Sequence, residues 1–167
     1  LDAMVGAHPR DPIAMPAPQA PFQTAVEAPT APRRVAFSRD LGITSMDREV
    51  GDICAAAAAR FTEMGAIVED TTPDLHDARE FFGLLRSVRT VAGLGGLVEQ
   101  HRDMMKPDIV WEIDARRALG ADEIGRAERA RGALAARFAA FFDDYDVLLC
   151  PATAEPPFDV GRRYVQE

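Results

Sequence analysis

Arg33-Arg34-Val35-Ala36-Phe37-Ser38, followed by Val50 to Met64 and then by Ala66-Ile67-Val68-Glu69-Asp70, is the stretch on which the fold turns. The first piece is a short apolar run between an arginine pair and a polar loop, Asp40 to Ser45, and reads as a strand. Thr44 or Ser45 is the expected helix N-cap, with Asp47 and Glu49 placed where carboxylates favour a helix N-terminus. Val50, Ile53, Cys54, Ala57, Phe61 and Met64 recur at helical spacing and form the expected core face, with Arg48, Asp52, Arg60 and Glu63 opposite. Gly65 stops the helix, and residues 66–70 make a second strand. Strand, amphipathic helix and strand over 33–70 predict a βαβ unit, with parallel strands and a right-handed crossover.

Towards the N-terminus, Leu1 to Gly6 resembles the last turn of a helix closed by glycine. Ala7 to Pro32 carries seven of the twelve prolines: Pro9, Pro12, Pro16, Pro18, Pro21, Pro29 and Pro32. Each proline removes a backbone donor and restricts the residue before it, so a loop without helix or central strand is expected there. A loop of that length in a compact domain points to a segment draped over a surface. Residues 1–32 are therefore read as a helix end and proline-rich loop, and 33–167 as one α/β region.

Beyond the βαβ unit, residues 74–143 read as a helical cover. Phe81, Leu84, Leu85, Val88, Val91 and Ala92 form one apolar face, which Gly93, Gly95 and Gly96 are expected to weaken or kink. Pro107 opens a shorter helix to about Arg117, which Gly120 ends, and Asp122 is the expected cap of a long last helix facing the core with Ile124, Ala127, Leu134, Phe138 and Phe141. Residues 146–150 lead through Val147-Leu148-Leu149-Cys150, a run expected of a strand buried on both faces, and Pro151 terminates it.

Composition narrows the function. The 19 Lys+Arg against 27 Asp+Glu leave a charge of −8, and Lys106 is the only lysine. Phosphate binding depends on clustered cations, so no nucleic-acid partner is expected. A chain of 167 residues buries about 70% of its unfolded surface, enough for one core without disulfides or a structural metal. Cys54 and Cys150 each sit in an apolar run and read as reduced, buried core thiols of a cytoplasmic protein. No apolar stretch approaching the length of about 20 residues needed to cross a bilayer stands out, so no membrane partner is expected either.

The chemistry-bearing residues have ordinary readings. Gly93-Leu94-Gly95-Gly96 interrupts a helix instead of following a strand and lacks the third fingerprint glycine, so it reads as a kink or close contact. Asp143, Asp144 and Asp146 lack calcium-loop spacing and read as solvated loop carboxylates. His8, His76 and His101 show no metal-ligand spacing. The pairs Arg116-Arg117 and Arg162-Arg163 read as solvated or ion-paired. Ser38, Ser45 and Ser87 lie outside any nucleophile elbow, and Lys106 has no adjacent serine to serve as a base. No catalytic, cofactor or metal residue emerges.

Four segments in order nevertheless resemble the amidase signature family of serine amide hydrolases. They are Leu1 to Pro12 with its Asp11-Pro12, Arg34-Val35-Ala36-Phe37-Ser38-Arg39-Asp40-Leu41-Gly42, Phe61 to Glu69, and Phe141-Phe142-Asp143-Asp144-Tyr145-Asp146-Val147-Leu148-Leu149-Cys150-Pro151-Ala152-Thr153. The resemblance implies an α/β fold: part of a mixed sheet flanked by helices, holding one βαβ unit, a helical cover and a third buried strand. It implies hydrolysis of a carbon–nitrogen amide bond of a small molecule through an acyl-enzyme intermediate, with no cofactor. The family's two serines and lysine lie in a Gly/Ser-rich stretch upstream of the matching region, so no catalytic residue carries over. The chain thus reads as an internal fragment, inactive alone, and Val165-Gln166-Glu167 stops short of the family's closing Gly-Pro segment. The resemblance places Pro151 and Thr153 near the substrate and offers Trp111 as a channel lining, against the plainer reading of Trp111 as a packed core residue.

Two other readings stay open at this stage. One is a non-catalytic α/β interaction module. The other is a subunit resembling the amidotransferase that delivers ammonia to a charged transfer RNA. An open sheet edge would allow a homodimer.

Overall fold

The computed structural model describes residues 1–162 of the chain. Arg163 of the second arginine pair and Val165 to Glu167 lie outside the described residues. The chain divides into two compact units, Leu1–Pro32 and the remainder from Arg33.

The first unit corrects the expectation of an unbroken loop. A 3-10 turn spans Asp2–Met4, and a short helix, α1, spans Phe22–Glu27. No proline falls between Pro21 and Pro29, and Pro21 occupies the N-cap, where its missing N–H costs nothing. The Asp2 carboxylate accepts the Phe22 and Gln23 N–H groups at 2.6 and 3.0 Å, which supplies the cap Pro21 cannot. Gly6 adopts a φ of 132°, as its closing position requires.

The second unit is α/β. Its parallel sheet comprises β1 (Arg34–Phe37), β2 (Ile67–Asp70) and β3 (Val147–Leu149), in the order β2-β1-β3. Arg34 pairs with Ile67 on one side of β1, and Val35 with Val147 on the other. Central β1 is the core: Val35, Ala36 and Phe37 are all buried. β3 lies at an edge, so it is half-buried and not enclosed on both faces as expected. Cys150, just past that edge, is exposed, and Cys54 is half-buried, so neither free thiol is a fully buried core residue.

Helix α2 (Arg48–Ala59) makes the crossover from β1 to β2. Its N-cap is Asp47, not Thr44 or Ser45, because the Asp47 carboxylate accepts the Glu49 and Val50 N–H groups. The buried positions are Gly51 and Ala58. Ile53, Ala57 and Met64 are exposed, a correction to the expected apolar face. The inner stripe is rotated towards the smaller residues, Gly51 and Ala58. A 3-10 stretch, Arg60–Met64, continues the helix, and Gly65 ends it at a φ of 85°.

Three helices, α3 (Ala78–His101), α4 (Pro107–Arg116) and α5 (Ala121–Asp144), lie between β2 and β3 in sequence. α3 packs against both α4 and α5 around a second core that includes Phe81, Val98, Ile113 and Ala127. It runs unbroken through Gly93, Gly95 and Gly96, a correction to the expected kink. Gly95 is buried, and its carbonyl accepts from the Arg117 guanidinium at 3.0 Å. The α5 cap is Gly120, whose N–H donates to Glu123; Asp122 does not serve. By length and composition Ala78–Met104 meets the requirement for a membrane span, with a mean hydropathy of 1.3, where no such stretch was expected.

Candidate functional site

The connections make one place in the sheet distinctive. From β1 the chain crosses to β2 on one side, and after the helices it returns to β3 on the other side of β1. The carboxyl ends of β1 and β3 therefore flank a topological switch point, where open α/β sheets hold their ligands. A cavity of about 190 Å³ lies there. The loop after β1 contributes Arg39, Asp40, Leu41, Thr44 and Met46 to its wall. The loop after β3 contributes Cys150, Pro151, Ala152, Thr153 and Ala154.

Backbone hydrogen bonds fasten the two loops together. Ser38 N–H donates to Leu149 O at 2.9 Å, and Asp47 N–H donates to Ala154 O at 2.9 Å. The first loop is also held tightly within itself. Asp40 accepts at its carboxylate from Gly42 N–H at 2.7 Å, and Ser38 Oγ accepts from Leu41 N–H at 3.0 Å. Leu41 sits at a φ of 56°, left-handed backbone that a non-glycine residue adopts only when its surroundings impose it.

Charge at the cavity is internally balanced. Arg39 pairs with Asp52 on α2, and Arg48 lies 3.6 Å from the same carboxylate. The hydrogen bond from Arg39, with Arg48 adding to it, holds the Asp52 carboxyl below its usual range. Gly51 leaves the space Arg39 needs, since a Cβ there would fall 2.2 Å from Arg39 Nη1. Thr153 donates its hydroxyl to Glu155 O at 3.1 Å.

Two of the residues singled out in the sequence, Pro151 and Thr153, come together in this wall. Trp111 does not join them. It sits on α4 and is 71% exposed, which also corrects its reading as a packed core residue. Sequence reasoning missed the residues of the β1 loop, because a strand order is needed to see that this loop faces the one after β3.

The histidines and Ser87 stand elsewhere. His76 pairs with Asp74 at 2.8 Å, and His8 Nδ1 accepts from Arg10 N–H at 3.3 Å. Ser87 is buried and donates to Gly83 O at 2.9 Å. No group of three metal-ligating side chains occurs among the described residues. A wider hollow of about 410 Å³ lies at the opposite, amino ends of the strands. Its charged residues hold the fold: Arg34 pairs with Glu69 at 2.7 Å and stacks on Tyr145 at 4.7 Å. Asp146, expected to be solvated, accepts the Arg33 and Arg34 N–H groups at 2.7 and 2.9 Å.

The model of the Amidase family matches residues 1–166. The chain belongs to the amidase family. An acylamidase from Rhodococcus erythropolis is 31% identical over 161 residues, which are 95% of this chain and 34% of that protein. The amidase-family chain thus spans about a third of the length of the curated relative it matches. Its fold is similar to that of a bacterial aryl acylamidase of the amidase signature enzymes, with a TM-score of 0.79 at 22% identity over 92% of this chain and 33% of that one. It is also similar to 6-aminohexanoate cyclic dimer hydrolase, with a TM-score of 0.63 at 16% identity over 84% of this chain and 31% of that one.

Among the described residues of this amidase-family chain, no hydrogen bond joins a serine hydroxyl to a histidine or lysine. Ser38 is buried, with its Oγ already accepting from Leu41, and no histidine or lysine lines the cavity. Covalent catalysis needs nucleophile and base within hydrogen-bond reach. What the arrangement offers is a shaped wall of two rigid loops.

Proposed function

We propose that this amidase-family chain forms the substrate-cleft side of an enzyme that hydrolyses the carbon–nitrogen bond of a small amide through an acyl-enzyme intermediate. In that reaction a serine oxygen adds to the amide carbonyl, the C–N bond breaks as the nitrogen takes up a proton, and water then cleaves the resulting ester. The observation that carries the reading is the cavity at the switch point, walled by Pro151 and Thr153 at the carboxyl ends of parallel strands. Membership of the amidase family supports it, as does the likeness to a relative named an acylamidase. The nucleophile and base are supplied from outside residues 1–162, so this chain alone is inactive.

Amine release from simple anilides tests both statements. The 167-residue chain should release none, and the protein that carries it together with a Ser/Ser/Lys core should be active. In that protein Pro151→Gly and Thr153→Val should lower kcat/KM by about tenfold, equal to about 1.4 kcal/mol of lost transition-state stabilisation. Release by the 167-residue chain would overturn its inertness. Unaltered kinetics in both variants would remove these loops from the cleft.

A further inference from the structure

Resting on that reading, we propose that Ser38 is a positioning residue for the reaction: its buried hydroxyl holds Leu41 in left-handed backbone and so fixes the wall that the β1 loop presents to the substrate. Leu41 is the one non-glycine residue with a positive φ among the described residues, and Gly42 follows it at 69°. In that conformation the leucine Cβ crowds the following carbonyl, so the surrounding bonds must hold it there. Strain of this kind collects where a loop presents a fixed shape to a ligand, and Leu41 lines the switch-point cavity.

Two sets of bonds around Leu41 stay inside the loop. The Asp40 carboxylate accepts from Gly42 N–H at 2.7 Å, and the Asp40 carbonyl accepts from Ile43 and Thr44 N–H groups at 3.3 and 3.2 Å. These shape the turn without tying it to the sheet. Ser38 makes the tie. Its Oγ accepts from Leu41 N–H at 3.0 Å, while its own N–H donates to Leu149 O of β3 at 2.9 Å. Ser38 is 5% exposed and directly follows the buried run Val35 to Phe37, so its hydroxyl is held in place by the core. One residue thus refers Leu41 to the strand whose loop forms the opposite wall. With alanine at position 38, the Leu41 N–H loses its acceptor, and Leu41 can return to right-handed backbone and carry its side chain off the wall.

Amide exchange and steady-state kinetics test this together. In the 167-residue chain, Ser38→Ala should speed exchange at Leu41 about tenfold and leave the amide of residue 38, bonded to Leu149 O, unchanged. Ser38→Thr, which keeps the hydroxyl, should leave Leu41 slow. In the complete enzyme acting on acetanilide, Ser38→Ala should raise KM about tenfold with kcat nearly unchanged, and Ser38→Thr should restore KM. A merely structural loss would reduce the active fraction and lower kcat at constant KM. Leu41→Gly removes the side chain that is being positioned, so adding Ser38→Ala to it should raise KM no further. Unaltered Leu41 exchange in Ser38→Ala overturns the inference, as does an unaltered KM or full additivity with Leu41→Gly. A complete enzyme that releases no amine would refute the hydrolytic reading alone, since the exchange rates still decide whether Ser38 holds Leu41.

Discussion

At the scale of single residues, the contacts that matter most here join positions far apart in sequence. Asp146 looks like one of three loop aspartates, yet its carboxylate accepts two N–H groups at the start of β1 and its own N–H returns to Arg34 O at 2.9 Å. The Arg34 N–H first, and then the Arg33 N–H, hold its carboxyl below the usual 3.8. Because the folded value is depressed, this stabilisation is present above the unfolded value and is lost as pH falls through the folded one. Melting temperature should therefore fall as pH drops below about 4, and Asp146→Asn should flatten that acid limb while destabilising the protein at neutral pH. An acid limb unchanged by the substitution would assign it to other carboxylates. Gly51 invites a second test. A valine there would place its Cβ 2.2 Å from Nη1 and 2.8 Å from Cζ of Arg39, and the flexible end of the arginine would have to move off Asp52. Gly51→Val should therefore raise the Asp52 carboxyl back towards its ordinary range, read by NMR titration of its side-chain carbon. No signal in Gly51 itself announces this role, since the guanidinium it accommodates belongs to a residue on a different element.

At the scale of elements, periodicity located the helices beyond Arg33, missed α1, and misjudged what the glycines do. α3 continues through Gly93 and Gly96 because its packing on α4 and α5 outweighs a weak local preference. A Cβ at Gly96 would meet nothing within 4 Å. Gly96→Ala should thus stabilise the chain by about 0.5–1 kcal/mol, since alanine loses less backbone freedom in a helix. Urea denaturation of the two proteins measures this directly, and a destabilised variant would mean that another surface closes over the helix at that point. α4 presents the opposite case. It rests on α3 through Ile113, which is fully buried, and through the pairs Arg86–Glu112 and Arg117–Glu99, while Arg102, just past the end of α3, pairs with Asp114. Exposed pairs contribute little and weaken with salt, so the apolar anchor dominates. Ile113→Ala should cost about 2–5 kcal/mol and speed amide exchange in α4 well before it does so in β1.

At the scale of the whole molecule, the βαβ unit was legible because all of its signals are local: two short apolar runs, a helical period and Gly65. The site was legible only in part. Pro151 and Thr153 were found through the family's strand-then-proline pattern, whereas Arg39, Leu41 and Met46 became visible once β3 was seen to pair with β1. That pairing joins residues more than 110 positions apart and has no local signature. The same topology leaves β2 and β3 as the edges of the sheet in this chain, and β2 carries Ile67 at 59% exposure, with Ile53 and Met64 also exposed nearby in sequence. Unpaired edge backbone beside exposed apolar side chains is a template for pairing with another chain, and a lysine on the edge is a common natural guard against it. The chain should therefore associate as its concentration rises, and Ile67→Lys should shift that association to higher concentration while leaving the fold intact by circular dichroism. Sedimentation velocity over a range of concentrations separates the outcomes. A wild-type chain that stays monomeric throughout, or an Ile67→Lys chain that associates just as readily, would show that the β2 edge is not the surface through which copies meet.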